Sequence, residues 1–119
     1  MRYMLLIYEP ESNWARMSQE EAGRVFGEYM AFTDSIKASG HYVTGSPLQP
    51  TATATTVRVK DGKTVSTDGP FAETREQLGG YYLVEANDLD EAIAIAGRIP
   101  AARSGSVEVR PIQEIAAPQ

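Results

Sequence analysis

Asp68-Gly69-Pro70-Phe71-Ala72-Glu73-Thr74-Arg75-Glu76-Gln77-Leu78-Gly79-Gly80-Tyr81-Tyr82-Leu83-Val84-Glu85-Ala86 runs from a glycine–proline corner, through acids and one arginine, into an apolar strand. Gly69 admits positive φ, Pro70 fixes its own φ at about −65°, and the residue before a proline is pushed out of the helical region. Asp68 is therefore held near a rigid corner. From Glu73 the residues favour a short helix, Gly79-Gly80 supplies its stop, and Tyr81 to Ala86 reads as a strand.

Upstream of the corner, Thr51 to Lys60 and Lys63 to Thr67 read as a β-hairpin closed around Asp61-Gly62, with Val57, Val59 and Val65 as its alternating apolar set. Before the hairpin, Gly40-His41 opens Tyr42-Val43-Thr44-Gly45-Ser46-Pro47, whose glycine and proline predict a bent or bulged strand. Ser18 with Glu21 fits a capping box. It starts a helix to Ser39 whose apolar stripe is Ala22, Val25, Phe26, Tyr29, Thr33 and Ile36, with Gly40 as the stop. Tyr3 to Tyr8 is apolar on both alternating sets, the pattern of a central strand covered on both faces. Trp14 stands between that strand and the helix, as a lid on the core edge or as the wall of a cleft.

Downstream, Asp88 with Glu91 marks a second helix start; Leu89, Ala92, Ile93, Ala96 and Ile99 form its stripe, and Pro100 closes it. Ser106 to Ile112 alternates and reads as a half-buried or edge strand. Without the hairpin the order is β-α-β repeated, which predicts an α+β, ferredoxin-like fold with both helices on one face of an antiparallel sheet. The first strand and the Tyr81 strand nevertheless carry apolar residues on both faces. A second copy of the chain is the natural cover, so a homodimer is expected.

At 119 residues the chain is the length of one domain, expected over residues 1–115 with a frayed tail at 116–119. A net charge of −5 with scattered basic residues argues against direct nucleic-acid binding. With no cysteine in the chain, disulfides, thiolate catalysis and cysteine-based metal sites are excluded. Met4 to Tyr8 is far too short to span a membrane and lacks the flanks of a signal peptide. A cytoplasmic location without membrane association is expected. No cofactor and no metal are expected, because a lone histidine with scattered carboxylates is a poor transition-metal site and no glycine-rich phosphate loop occurs.

Asp68-Gly69-Pro70-Phe71 followed by Glu73-Thr74-Arg75-Glu76-Gln77-Leu78-Gly79-Gly80-Tyr81 resembles the signature of the DGPF proteins, a branch of the YCII-related domain superfamily. The opening Tyr3 to Tyr8 strand, the Gly40-His41 step and the closing Val107-Glu108-Val109-Arg110-Pro111-Ile112 extend the resemblance over nearly the whole chain. It implies a ferredoxin-like subunit of the dimeric α/β-barrel type, with an acid/base site whose substrate is not fixed.

His41, the only histidine, is the side chain whose ordinary pKa lies nearest neutrality, so general acid/base work falls first on it. Asp68 is the candidate to orient it, by its constrained corner and by the His/Asp site the resemblance implies; the structural alternative is that Asp68 only caps the turn or the following helix and His41 hydrogen-bonds to backbone at a helix end. Glu73 and Arg75 are candidate substrate-binding residues, Arg75 as a bidentate anchor for a carboxylate or as a tie from the loop to Glu9 or Glu85. Tyr8, Tyr42, Tyr81 and Tyr82 are candidate phenol donors in a cleft, Tyr8 and Tyr81 foremost, with half-buried strand packing as the structural alternative. Two functions follow: a small-molecule binding or catalytic module, or a non-catalytic accessory protein associated with extracytoplasmic-function sigma factors, as the resemblance to labelled DGPF relatives implies.

Overall fold

The computed structural model describes residues 1–116; the last three positions of the expected tail lie outside them. Strand β1 (Arg2–Glu9) leads through the short helix α1 (Ser12–Arg16) into the long helix α2 (Gln19–Ala38). Then come β2 (Tyr42–Pro47), the hairpin β3 (Thr55–Lys60) and β4 (Lys63–Asp68), β5 (Gln77–Glu85), α3 (Leu89–Ala96) and β6 (Ser106–Pro111). Both predicted caps form: the Ser18 hydroxyl accepts the Glu21 backbone N–H at 3.1 Å, and the Asp88 carboxylate accepts that of Glu91 at 2.9 Å. Each satisfies a helix-end donor that water would otherwise have to meet.

The four-stranded sheet runs β2-β5-β1-β6 with all neighbours antiparallel, which places β1 in the centre as its two-sided pattern requires. This is the ferredoxin-like α+β arrangement. Tyr3, Leu5 and Ile7 point to the helices and are buried together with Phe32 and Ile36 of α2 and Ala92, Ile95 and Ala96 of α3. The opposite β1 set, Met4, Leu6 and Tyr8, is half-buried. It pairs with Leu83, Tyr81 and Leu78 of β5 on a face that no helix covers.

Four local expectations are corrected. No helix forms over Glu73 to Leu78; that stretch is irregular until β5 begins at Gln77. Gly79 and Gly80 lie within β5, beside the register shift between Ile7 and Tyr8. A Cβ on Gly80 would sit 3.1 Å from the Ser46 carbonyl oxygen, so the glycine admits the close approach of β2 rather than ending a helix. The helix stripes shift too: Phe32 and Ile95 are buried, whereas Phe26, Leu89 and Ile93 are exposed. In the hairpin, Val65 pairs with Arg58 while Val57 and Val59 pair with Ser66 and Thr64, so Val65 lies on the other face.

Among the described residues the hairpin pairs only with itself. Its valines are 41–69% exposed, and Phe71 just beyond it is 80% exposed. It makes the chain flat and wide, 52 × 48 × 19 Å, with a radius of gyration of 16.7 Å. A compact chain of this length would have about 13.5 Å.

Candidate functional site

Between the middle of α2 and the β2/β5 half of the sheet lies a cavity of about 470 Å³, inside the usual range for small-molecule sites. Its wall is built from four directions. The end of β1 and its exit loop contribute Ile7, Glu9 and Glu11, and α1 contributes Trp14. One side of α2 contributes Phe26, Tyr29, Met30 and Thr33. Strand β2 and its exit give Tyr42 to Pro50 in part, and β5 gives Gln77, Gly79, Gly80, Tyr81 and Tyr82. Close passage makes room for this wall: a Cβ on Gly45 would meet the Tyr82 ring at 2.8 Å.

At the inner end the Tyr82 hydroxyl and Thr33 Oγ1 are 2.7 Å apart, and Thr33 Oγ1 also donates to the Tyr29 carbonyl at 2.8 Å. Thr33 has a single hydroxyl proton, so with that proton on the carbonyl the Tyr82 phenol is the donor between the two. The Tyr82 ring meets Phe32 and Tyr42 edge to face, at centroid distances of 5.1 and 6.4 Å, the geometry that suits ring quadrupoles. Burial pushes the Tyr82 phenol above its ordinary pKa. For Tyr29 the pKa rises to about 12, first through burial and then through the negative charge of Glu9.

The carboxylates at the mouth are held in place. Glu9 accepts the Trp14 indole N–H at 2.8 Å and the Ser104 hydroxyl at 3.1 Å. Glu11 accepts the Thr51 backbone N–H at 2.7 Å and its hydroxyl at 3.1 Å, while its own N–H donates to the Gln77 side chain at 2.9 Å. Neither carboxylate has an ion-pair partner among the described residues. No lysine, arginine or histidine lines the cavity.

Of the residues singled out in the sequence, Tyr42, Tyr81 and Tyr82 border this cavity and Trp14 forms a wall of it. Tyr8 sits half-buried in β1, paired with Leu78 and Ser106. Glu73 and Arg75 are exposed in the irregular stretch before β5. Arg75 does not tie that stretch to Glu9 or Glu85, since Glu85 pairs with Arg2 and the N-terminal amine instead. Asp68 is exposed at the end of β4, opposite Thr55.

His41 is not hydrogen-bonded to Asp68. Its Nδ1 lies 2.6 Å from the Ser39 hydroxyl and its Nε2 3.0 Å from Glu91. An ionised carboxylate only accepts, so Nε2 carries the proton in that contact. The Asn87 backbone N–H, followed by His41, holds the Glu91 carboxyl below its ordinary range. A serine, a histidine and a carboxylate in a row have the order of an acyl-transfer triad, but none of the three borders the cavity. The row ties the end of α2 to the start of α3.

The residues that sequence reasoning missed are Glu9, Glu11 and Thr33. Glu9 and Glu11 read in the sequence only as strand-ending acids, and Thr33 only as a stripe residue.

Residues 1–116 match the family described as YCII-related domain. An uncharacterized protein of Rhizobium meliloti is 40% identical over 114 residues, covering 94% of this chain and 92% of its own. Among solved structures, the chain is similar to 5-chloro-2-hydroxyhydroquinone dehydrochlorinase from Burkholderia phenoliruptrix, in complex with 2,5-dihydroxybenzoquinone. That similarity has a TM-score of 0.54 at 15% identity and covers 95% of this chain and 94% of the other; at that identity it carries the fold alone.

Proposed function

The chain belongs to the YCII-related domain family, and on that premise we propose that it is a small-molecule binding module whose ligand occupies the cavity between α2 and the sheet. The observation that carries the reading is the pairing of an apolar, aromatic-walled chamber of about 470 Å³ with a few fixed polar groups at its two ends. That combination is how small-molecule sites obtain affinity from burial and orientation from hydrogen bonds. The solved structure of similar fold holds a six-membered carbon ring compound, which supports a site of this size in this architecture.

Any chemistry on the ligand falls to the groups on the helix side of the sheet that border the cavity: the Glu9 and Glu11 carboxylates and the Tyr29, Tyr42 and Tyr82 phenols. Acid/base work by His41 with Asp68 would need a molecule bridging the α2–α3 end and the hairpin. We place the ligand in the cavity instead. A thermal-shift screen of small metabolites tests this: ligands that stabilise the protein should lose their effect in Thr33→Val and Tyr82→Phe variants, and stabilisation indifferent to both would overturn the assignment. A ligand at 100-fold over its Kd adds about 2.7 kcal/mol to stability.

We also infer a homodimer. Its support is the uncovered sheet face of Met4, Leu6, Tyr81 and Leu83 together with a hairpin whose valines stay 41–69% exposed. An isolated two-stranded hairpin is only marginally stable in water, and a second copy offers both features a partner in one closed assembly.

A further inference from the structure

We propose that the ligand of this cavity is an organic cation, an amine or quaternary ammonium carried on an apolar or aromatic body. This deepens the binding reading above and rests on it. Trp14, Phe26, Tyr29 and Tyr82 give the chamber aromatic side chains, and the negative quadrupole of a ring face attracts a cation within about 6 Å; on Tyr42 one such position is already taken by Lys37 Nζ, 4.9 Å from the ring centroid. Glu9 and Glu11 stand at the same chamber with no ion-pair partner among the described residues, and no basic side chain lines it.

The carboxylates are built in rather than loosely placed. Hydrogen bonds from Trp14 and Ser104 fix Glu9, and those from Thr51 fix Glu11. Those donors are neutral, so they orient the charges without cancelling them, and a carboxylate retains further lone pairs for a ligand. Burial first and the charge of Glu9 second hold the Tyr29 phenol above its ordinary pKa, so Glu9 acts on a ring of the chamber wall.

On its far side Glu9 also borders a second cavity, of about 390 Å³, that carries Arg24 and Arg103. Arg103 is committed to Glu28 there. Glu11 does not border that cavity, so it is the carboxylate facing only the aromatic chamber.

The charge balance also selects against the opposite class. An anionic ligand would enter a chamber that already holds two carboxylates and would find no lysine, arginine or histidine to meet it. Trp14, Phe26, Met30 and Leu48, each 41–64% exposed, ring the opening and offer the ligand's body an apolar landing.

The test uses the full chain and its sole tryptophan, Trp14, as the reporter. Phenethylamine, phenethyl alcohol and phenylacetate share one ring and differ in the head group's charge. Each is titrated against wild type, Glu9→Gln, Glu11→Gln and the double variant, with indole fluorescence and melting temperature as readouts. The glutamines keep an acceptor for the Trp14 and Thr51 contacts. Melting of the unliganded variants reports that they fold.

We expect the amine to bind wild type roughly tenfold more tightly than the alcohol, a factor that corresponds to about 1.4 kcal/mol, and the carboxylate to bind most weakly. Each single variant should reduce the amine's advantage and the double variant remove it, with the alcohol unaffected. Phenylacetate binding as well as the amine, or an amine advantage that survives in the double variant, overturns the cation assignment while leaving the cavity as a binding site. If none of the three alters wild-type fluorescence or melting, the cavity reading and this inference both fall.

Discussion

The Trp14 indole N–H donates to Glu9 Oε1 across 2.8 Å, which ties α1 to the end of β1 and holds the indole against the cavity. Glu9→Ala should release the ring and shift its emission to the red, while Glu9→Gln keeps an acceptor and the native emission. Equal spectra for the alanine variant and wild type would show that other contacts position the ring.

The Glu91 carboxyl is held below its ordinary range by the Asn87 N–H and by His41. Because the folded pKa is depressed, the group's stabilisation is present above the ordinary carboxylate range and is lost as pH falls through the folded value. Wild type should therefore melt above Glu91→Gln at pH 7, with the gap closing on acidification. The exposed Asp68→Asn, by contrast, should stay within about 0.5 kcal/mol of wild type throughout. Melting curves from pH 7 downward check both; a gap independent of pH would remove the charge from the explanation.

Burial, and then the negative charge of Glu9, push the pKa of the Tyr29 phenol up to about 12. A phenol whose folded pKa is raised contributes stability that is complete below the unfolded value and is lost as pH rises through the folded one. Ultraviolet titration of the phenols should show a late component near pH 12 that disappears in Tyr29→Phe and moves to lower pH in Glu9→Gln. An unchanged late component in Tyr29→Phe would reassign it.

Leu5 is fully buried at the centre of β1, between the sheet and the helices. Leu5→Ala should cost about 2–5 kcal/mol by the range for buried leucines, measured by chemical denaturation. Gly105→Ala should be comparably damaging for a different reason, since its Cβ would run into the Tyr8 carbonyl oxygen and Glu9.

Light scattering at tens of micromolar should give the mass of two chains. Leu6→Lys with Leu83→Lys, both on the uncovered sheet face, should convert it to the mass of one while leaving the helix-side core untouched. A stable dimer buries more than about 1,200 Å², so two lysines at its centre cannot be absorbed. A monomeric wild type would remove the homodimer.

The order of elements was legible because each rests on short-range chemistry. Ser18 and Asp88 announce helix starts three residues ahead, and Asp61-Gly62 closes a hairpin, with both residues at positive φ. The two-sided apolar run of Tyr3 to Tyr8 places β1 in the centre of the sheet. The lack of cysteine ruled out its chemistry from composition alone. The site was not legible, because nothing local distinguishes Glu9 and Glu11 from any strand-ending acids or Thr33 from a helix-stripe residue. They become a site only when the register of β1 on β5, shifted between Ile7 and Tyr8, and the glycine contacts of β2 with β5 open space beneath α2. His41 shows the same limit from the other side: the sequence identified the one imidazole, but the packing of α2 against α3 decided that its partners are Ser39 and Glu91. Pairing between residues fifty positions apart depends on where two helix ends meet, and no local propensity encodes that.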